Sequence, residues 1–127
     1  MKTAIYDKGL CGIEQSFYIG TVNKDTDATE GTQLPVQLPA GFRIVGFGID
    51  VKTAFASATL NLTGDQSEPV SYLEGAELNE VGFITKDGAY AAVGDKDVTL
   101  TAKLSAEETG DGSADIYVKA VRLEAYD

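Results

Sequence analysis

GFRIVGFGIDVKTAF, residues 41 to 55, is the stretch whose reading decides the fold. Successive residues of a β-strand point to opposite faces, so every second position shares a surface. One set is Val45, Phe47, Ile49, Val51, Thr53 and Phe55; the other is Ile44, Gly46, Gly48, Asp50, Lys52 and Ala54. The first set is bulky and apolar, and the second carries almost no side chain for half its length. A long strand with its first face buried is therefore predicted. Glycine inside a strand weakens it, so Gly46 and Gly48 mark a strong bend, a close approach by another backbone, or relief of twist strain.

Upstream, LPVQL alternates Leu34, Val36 and Leu38, and Leu38-Pro39-Ala40-Gly41 has the proline and glycine placement of a type I turn. Downstream, Ala56-Ser57 connects to ATLNLTG, a half-buried strand with Ala58, Leu60 and Leu62 on one face and Thr59, Asn61 and Thr63 on the other. Residues 64 to 80, GDQSEPVSYLEGAELNE, are irregular and predict a loop, within which YLEGAEL has room for a helical turn or a short strand. VGFIT and AYAAV flank Lys86-Asp87-Gly88, where Asp-Gly suits a tight hairpin. VTLTAKL presents Val98, Leu100, Ala102 and Leu104 on one face. In the last strand, ADIYVKAVRLEAY, Ile116 and Val118 point one way and Val121 and Leu123 the other. A bulge near Lys119-Ala120, or burial of both faces, reconciles them.

Residues 1 to 33 read as an N-terminal arm holding one short strand, Ser16 to Val22. Its apolar residues Ile5, Tyr6, Leu10, Ile13, Phe17, Tyr18 and Ile19 are too many for a disordered tail and too irregular for an amphipathic helix. They need a surface to pack on, in the parent domain or in a neighbour. Residues 34 to 127 form the main domain. Seven or eight short strands, frequent turns and no helical period predict an all-β chain, an antiparallel β-sandwich of jelly-roll or immunoglobulin-like kind with an N-terminal arm. A small closed barrel shows the same alternation.

Twenty acidic residues against ten basic ones give a net charge of −10. Such a field repels phosphate backbones and anionic lipid, so neither nucleic acid nor membrane is an expected partner. The lone Cys11 has no partner for an internal disulfide, and no apolar run has the length of a signal peptide or spanning helix. A reducing cytosol is the expected place of synthesis. Asn61-Leu62-Thr63 matches a glycosylation acceptor inside a predicted strand and is read as chance.

With no histidine and one cysteine, Ser/His and Cys/His nucleophilic arrangements and the usual zinc sites are excluded. No phosphate-cradling motif occurs. Three acidic clusters carry oxygen ligands suited to calcium: Asp25/Asp27/Glu30, Asp95/Asp97, and Glu107/Glu108/Asp111/Asp115. The first, however, has Glu30 where a calcium loop needs glycine and Val36 where it needs glutamate. All three are read as solvated turns, and no metal or cofactor is expected. The aromatics Tyr6, Phe17, Tyr18, Tyr72, Phe83, Tyr90, Tyr117 and Tyr126 are numerous enough for a sugar platform; without tryptophan, core and cross-strand packing is the expected role.

LPAGFRIVGFGIDVKTAFASATLNLTGD, a run like DVTLTAKL and a closing GSADIYVKAVRLEAY together resemble a group of small tailed-bacteriophage structural proteins. Residues 38 to 65 and 112 to 123 carry the resemblance, which lies in packing and turn patterns. It implies a non-enzymatic virion protein made in the bacterial host cytoplasm. Its expected place is the capsid surface as a decoration or cement protein, with a head-fibre base or tail accessory protein as alternatives. The implied partners are the major capsid protein and copies of the chain itself, as a homotrimer around a local symmetry axis. Ile5, Tyr6, Leu10, Ile13, Phe17, Tyr18, Gly46 and Gly48 are the expected assembly contacts. A fibre- or tail-associated carbohydrate- or receptor-binding module is the competing expectation.

Overall fold

The computed structural model describes residues 2–3, 14–26, 28–87 and 92–122. Ten strands occur among them: β1 Lys2–Thr3, β2 Glu14–Asn23, β3 Thr32–Gln33, β4 Val36–Gln37, β5 Phe42–Thr53, β6 Thr59–Gly64, β7 Ser71–Glu77, β8 Gly82–Asp87, β9 Leu100–Leu104 and β10 Ser113–Arg122. No helix is found among the described residues. β1 and β4 form a short parallel pair. The other eight form two antiparallel sheets of four, ordered β2-β10-β5-β8 and β3-β9-β6-β7. Counted first to last, these eight run one-eight-three-six and two-seven-four-five. That order is a jelly roll, in which successive strands pass back and forth between two facing sheets.

Alternation along the strands builds the core. Leu60 and Leu62 on β6, and Leu100, Ala102 and Leu104 on β9, face Phe47, Ile49 and Val51 on β5 and Ile116 and Val118 on β10. Burying each large side chain contributes about 1.5–3 kcal/mol, so this two-sided wall supplies a large share of the driving force. The strand expected within the arm is longer than its apolar run, Glu14–Asn23. It pairs along its length with β10, and Phe17, Ile19 and Val22 enter the core of the parent domain.

The structure departs from the simplest sequence reading at four places. On β5, Ile44 is fully buried while Val45 is only half-buried, the reverse of the sequence expectation. The cause is a bulge: Lys119 and Ala120 of β10 pair with Gly46 and Ile44, leaving Val45 as the extra residue. The phase change expected in the last strand therefore belongs to β5. β10 alternates without a break, Ala120 and Arg122 pointing inward and Val121 outward, while Leu123 lies outside the described residues.

The third departure is β7, which takes the short strand that YLEGAEL left room for inside a segment otherwise expected to be a loop. Two steps of β6, Leu60 to Leu62, span three steps of β7, Ala76 to Leu73, so the strand cannot alternate. The Asn61 side chain accepts the Gly75 N–H at 2.7 Å, taking the place of a missing ladder bond. The fourth is the expected hairpin at Lys86-Asp87-Gly88. Lys86 and Asp87 are strand residues of β8, paired with Phe47 and Gly46, and Gly88 to Ala91 lie outside the described residues.

Candidate functional site

The outer face of the β2-β10-β5-β8 sheet answers the question raised by the two glycines. Pairing places its outward residues in three rows across the four strands: Thr21, Asp115, Asp50 and Phe83; then Tyr18, Tyr117, Gly48 and Thr85; then Ser16, Lys119, Gly46 and Asp87. β5 contributes only hydrogen atoms to the second and third rows. Side chains from β10 and β8, which flank β5, therefore meet above it.

At Gly48 the visitor is aromatic. A β-carbon there would stand 2.5 Å from Cζ of Phe83, whose ring leans diagonally across the glycine. This brings Phe83 to Tyr117, with ring centres 6.5 Å apart and planes at 45°. Tyr117 in turn meets Tyr18 edge-on, centres 5.7 Å apart at 65°. The result is one aromatic row across all four strands, with Phe83 61% and Tyr18 42% exposed.

At Gly46 the visitor is an ion pair. Lys119 Nζ reaches Asp87 Oδ1 at 2.7 Å, and a β-carbon on Gly46 would stand 2.8 Å from that oxygen and 3.1 Å from the Lys86 carbonyl oxygen. The hydrogen bond from Lys119 to Asp87 raises the ammonium pKa, with the charges of Asp87 and Glu14 acting in the same direction. On the other side of the rings, Lys52 binds Asp50 at 2.7 Å, which raises its pKa in the same way. The Tyr18 hydroxyl donates to Thr21 Oγ1 at 2.6 Å, and Thr21 donates to Asp115 Oδ1 at 2.7 Å. This relay holds the Tyr18 ring along the sheet, because the terminal acceptor is a carboxylate fixed on β10.

Of the residues singled out in the sequence, Tyr18, Gly46 and Gly48 share this face. Phe17, one residue from Tyr18, points the opposite way and packs edge-on against Phe42, centres 6.2 Å apart. Ile5, Tyr6, Leu10 and Ile13 lie outside the described residues. Sequence reasoning missed Tyr117 and Phe83 as surface residues. Both pack across strands as expected, but on the outer face. The signal was present in Gly48: a bare position between two strands makes room for their side chains. Tyr72 is in the core, whereas Tyr6, Tyr90 and Tyr126 are not among the described residues.

The acidic clusters are dispersed. Among the described residues no three metal-ligating side chains gather around one point. Glu108 is only 6% exposed, and its two oxygens accept the Ala56 N–H at 3.0 and 3.2 Å, with Oε2 also accepting the Gly112 N–H at 3.1 Å. It ties the β5–β6 connection to the loop before β10. An open cleft of about 500 Å³ is lined by Asp65, Gln66, Asp95 and Asp97. Asp65 accepts the Thr99 N–H and Asp97 the Ala40 N–H, so these carboxylates fasten loops. Asp27 is outside the described residues.

The sequence matches no protein-family model and no curated protein sequence. The structure does have counterparts. A chain of the cyanophage Pam1 capsid asymmetric unit superposes with a TM-score of 0.61 at 16% identity, over 93% of this chain and 91% of that one. The likeness is one of fold. A chain in the acidic stable capsid structure of Helicobacter pylori bacteriophage KHP30 gives a TM-score of 0.51 at 11% identity, over 88% of this chain and 95% of that one. In both cases the likeness extends over most of each chain.

Proposed function

We propose that this protein is a non-enzymatic structural component of a bacteriophage virion, which decorates or cements the capsid exterior through protein–protein contacts. The observation that carries the reading is the correspondence with the Pam1 capsid chain over 93% of the present chain and 91% of its counterpart. The packing pattern of residues 38 to 65 and 112 to 123 supports the same class of particle. The net charge of −10 favours the outer surface over a DNA-lined interior.

In this reading the partners are the major capsid protein and copies of the chain itself, arranged as a homotrimer around a local symmetry axis. Ile5, Tyr6, Leu10 and Ile13 of the arm grip a neighbour, and Tyr18, Gly46 and Gly48 belong to the face that meets it. Phe17 acts from within by seating β2 on the core. A symmetric shell repeats each weak contact many times, so modest single contacts give firm attachment.

The test is co-sedimentation of the purified chain with purified capsids. The full chain is expected to sediment with them, and a chain lacking residues 1 to 12, which keeps all of β2, is expected to remain in the supernatant. Equal binding by the shortened chain removes the arm from the reading. No binding by the full chain overturns it. The exposed row of Tyr18, Tyr117 and Phe83 favours a second reading, a fibre- or tail-associated carbohydrate-binding module. Saturable binding on a glycan array that Phe83→Ala abolishes would establish that reading instead.

A further inference from the structure

The geometry points to the aromatic row Tyr18–Tyr117–Phe83 as the docking site for a partner protein surface of net positive charge, which lays an arginine side chain on the rings. The inference rests on the capsid reading and names the partner's chemistry. Among the described residues, the large hydrophobics left exposed are Tyr18, Phe83 and Val81, the last being two residues from Phe83. They therefore gather on one sheet and at its β8 edge. The rings are held in place beforehand, Tyr18 by the Thr21–Asp115 relay and Phe83 by its seat on Gly48. An aromatic centre inside a rim of hydrogen-bonding and charged groups is the anatomy of a protein–protein contact.

Charge selects the occupant. Both lysines beside the rings are committed at 2.7 Å, Lys52 to Asp50 and Lys119 to Asp87, while Asp115 adds a third carboxylate. Farther along the face, Glu14 and Arg43 flank Val121 with one charge of each sign. The rim is acidic by a small margin and the chain by −10, so this face suits a basic surface better than a second copy of the chain, and the contacts between copies in the trimer fall to the arm. A basic surface is drawn in, and a guanidinium gains further from the ring faces.

The row is short: three strand spacings of about 4.8 Å make it about 14 Å across. Its footprint is well under the roughly 800 Å² per partner of a standard interface, so a single contact is weak and depends on repetition for its strength.

The experiment uses the full chain and its Phe83→Ala and Tyr117→Ala variants on purified capsids at about 50 and 500 mM salt. A parallel arm records NMR signals of the Phe83 and Tyr117 rings against an Arg-Leu-Gly repeat peptide, its Glu-Leu-Gly counterpart and a neutral hexasaccharide. Expected are a loss of capsid affinity of about tenfold in each variant, weaker binding at high salt, and ring shifts with the arginine peptide alone. If the variants bind capsids as the parent does, the row is not the site although the capsid reading survives. If the parent does not bind capsids, the capsid reading fails and the peptide arm judges the row. Ring shifts with the hexasaccharide, no shifts with the arginine peptide, or a self-association that Phe83→Ala abolishes would each overturn the proposal.

Discussion

Tyr117 and Phe83 touch although a whole strand separates theirs: β10 and β8 flank β5, and the two ring centres are 6.5 Å apart above Gly48. The contact exists because β5 contributes no side chain at that point. The same device repeats one row away, where Lys119 and Asp87 pair across Gly46. Two glycines that weaken a strand on their own account thus open room for an aromatic contact and an ion pair across it.

Gly48→Ala tests this coupling. In an open strand the change favours stability by about 0.5–1 kcal/mol, since alanine loses less backbone freedom than glycine. Here the new β-carbon meets the far end of an exposed ring, which can swing away only by leaving Tyr117. The expected result in the parent is a loss of up to about 1 kcal/mol, and in a Phe83→Ala background a gain of about 0.5 kcal/mol. Urea denaturation of the four proteins of this cycle measures the difference. Identical effects in both backgrounds would mean that Phe83 does not rest on Gly48.

The bulge at Val45 makes an equally sharp contrast between neighbours. Ile44 is fully buried and Val45 half-buried, so Ile44→Ala is expected to cost about 2–4 kcal/mol and Val45→Ala less than about 1 kcal/mol. Strict alternation from Phe47 reverses that order. Thermal or chemical denaturation of the two single variants decides between them.

These two cases show what the amino-acid sequence made legible. Strands whose burial has a period of two, such as β6, β9 and most of β5, could be read directly, and with them the sandwich. The bulge near Lys119-Ala120 was half legible: its place could be expected from the sequence, but not that the extra residue lies on the partner strand β5. Ile44 and Val45 are both good strand formers, and only pairing with Lys119 and Ala120 reveals which is surplus. For β7 a short strand was one of the options, and its irregular register was hidden because it is supported by Asn61, whose side-chain role no spacing rule encodes. The docking face was half legible. Gly46 and Gly48 announced a bare surface, but which side chains cross it depends on β10 and β8 flanking β5, and that is a property of topology.

Glu108 was read as part of a solvated turn and proves to be a buried fastener. Glu108→Ala leaves the Ala56 and Gly112 N–H groups without their acceptor, and each unsatisfied donor costs about 1–3 kcal/mol. A total loss of about 3 kcal/mol is expected, with Glu108→Gln losing about half as much because one acceptor oxygen remains. Hydrogen exchange at Ala56 and Gly112 should accelerate in the alanine variant more than at β9 amides. Unchanged exchange at both sites would show that the carboxylate is not their acceptor.

Alkaline pH supplies the last prediction. Burial raises the Tyr72 phenol above its ordinary value of 10.0, with the hydrogen bond from Gln66 acting the other way, and the partnered Lys52 and Lys119 are raised above 10.5. For all three the folded chain holds its proton more tightly than the unfolded chain. Below about pH 9.5 both states are protonated and stability does not change on their account. Above that, the unfolded chain releases protons first, so stability falls as pH rises through the folded-state values. The exposed lysine pairs contribute little, as surface ion pairs do, which leaves Tyr72 as the main source. The urea midpoint should therefore be level from about pH 7.5 to 9.5 and fall beyond it, and the fall should be shallower in Tyr72→Phe. An equal fall in that variant would place the responsible group elsewhere.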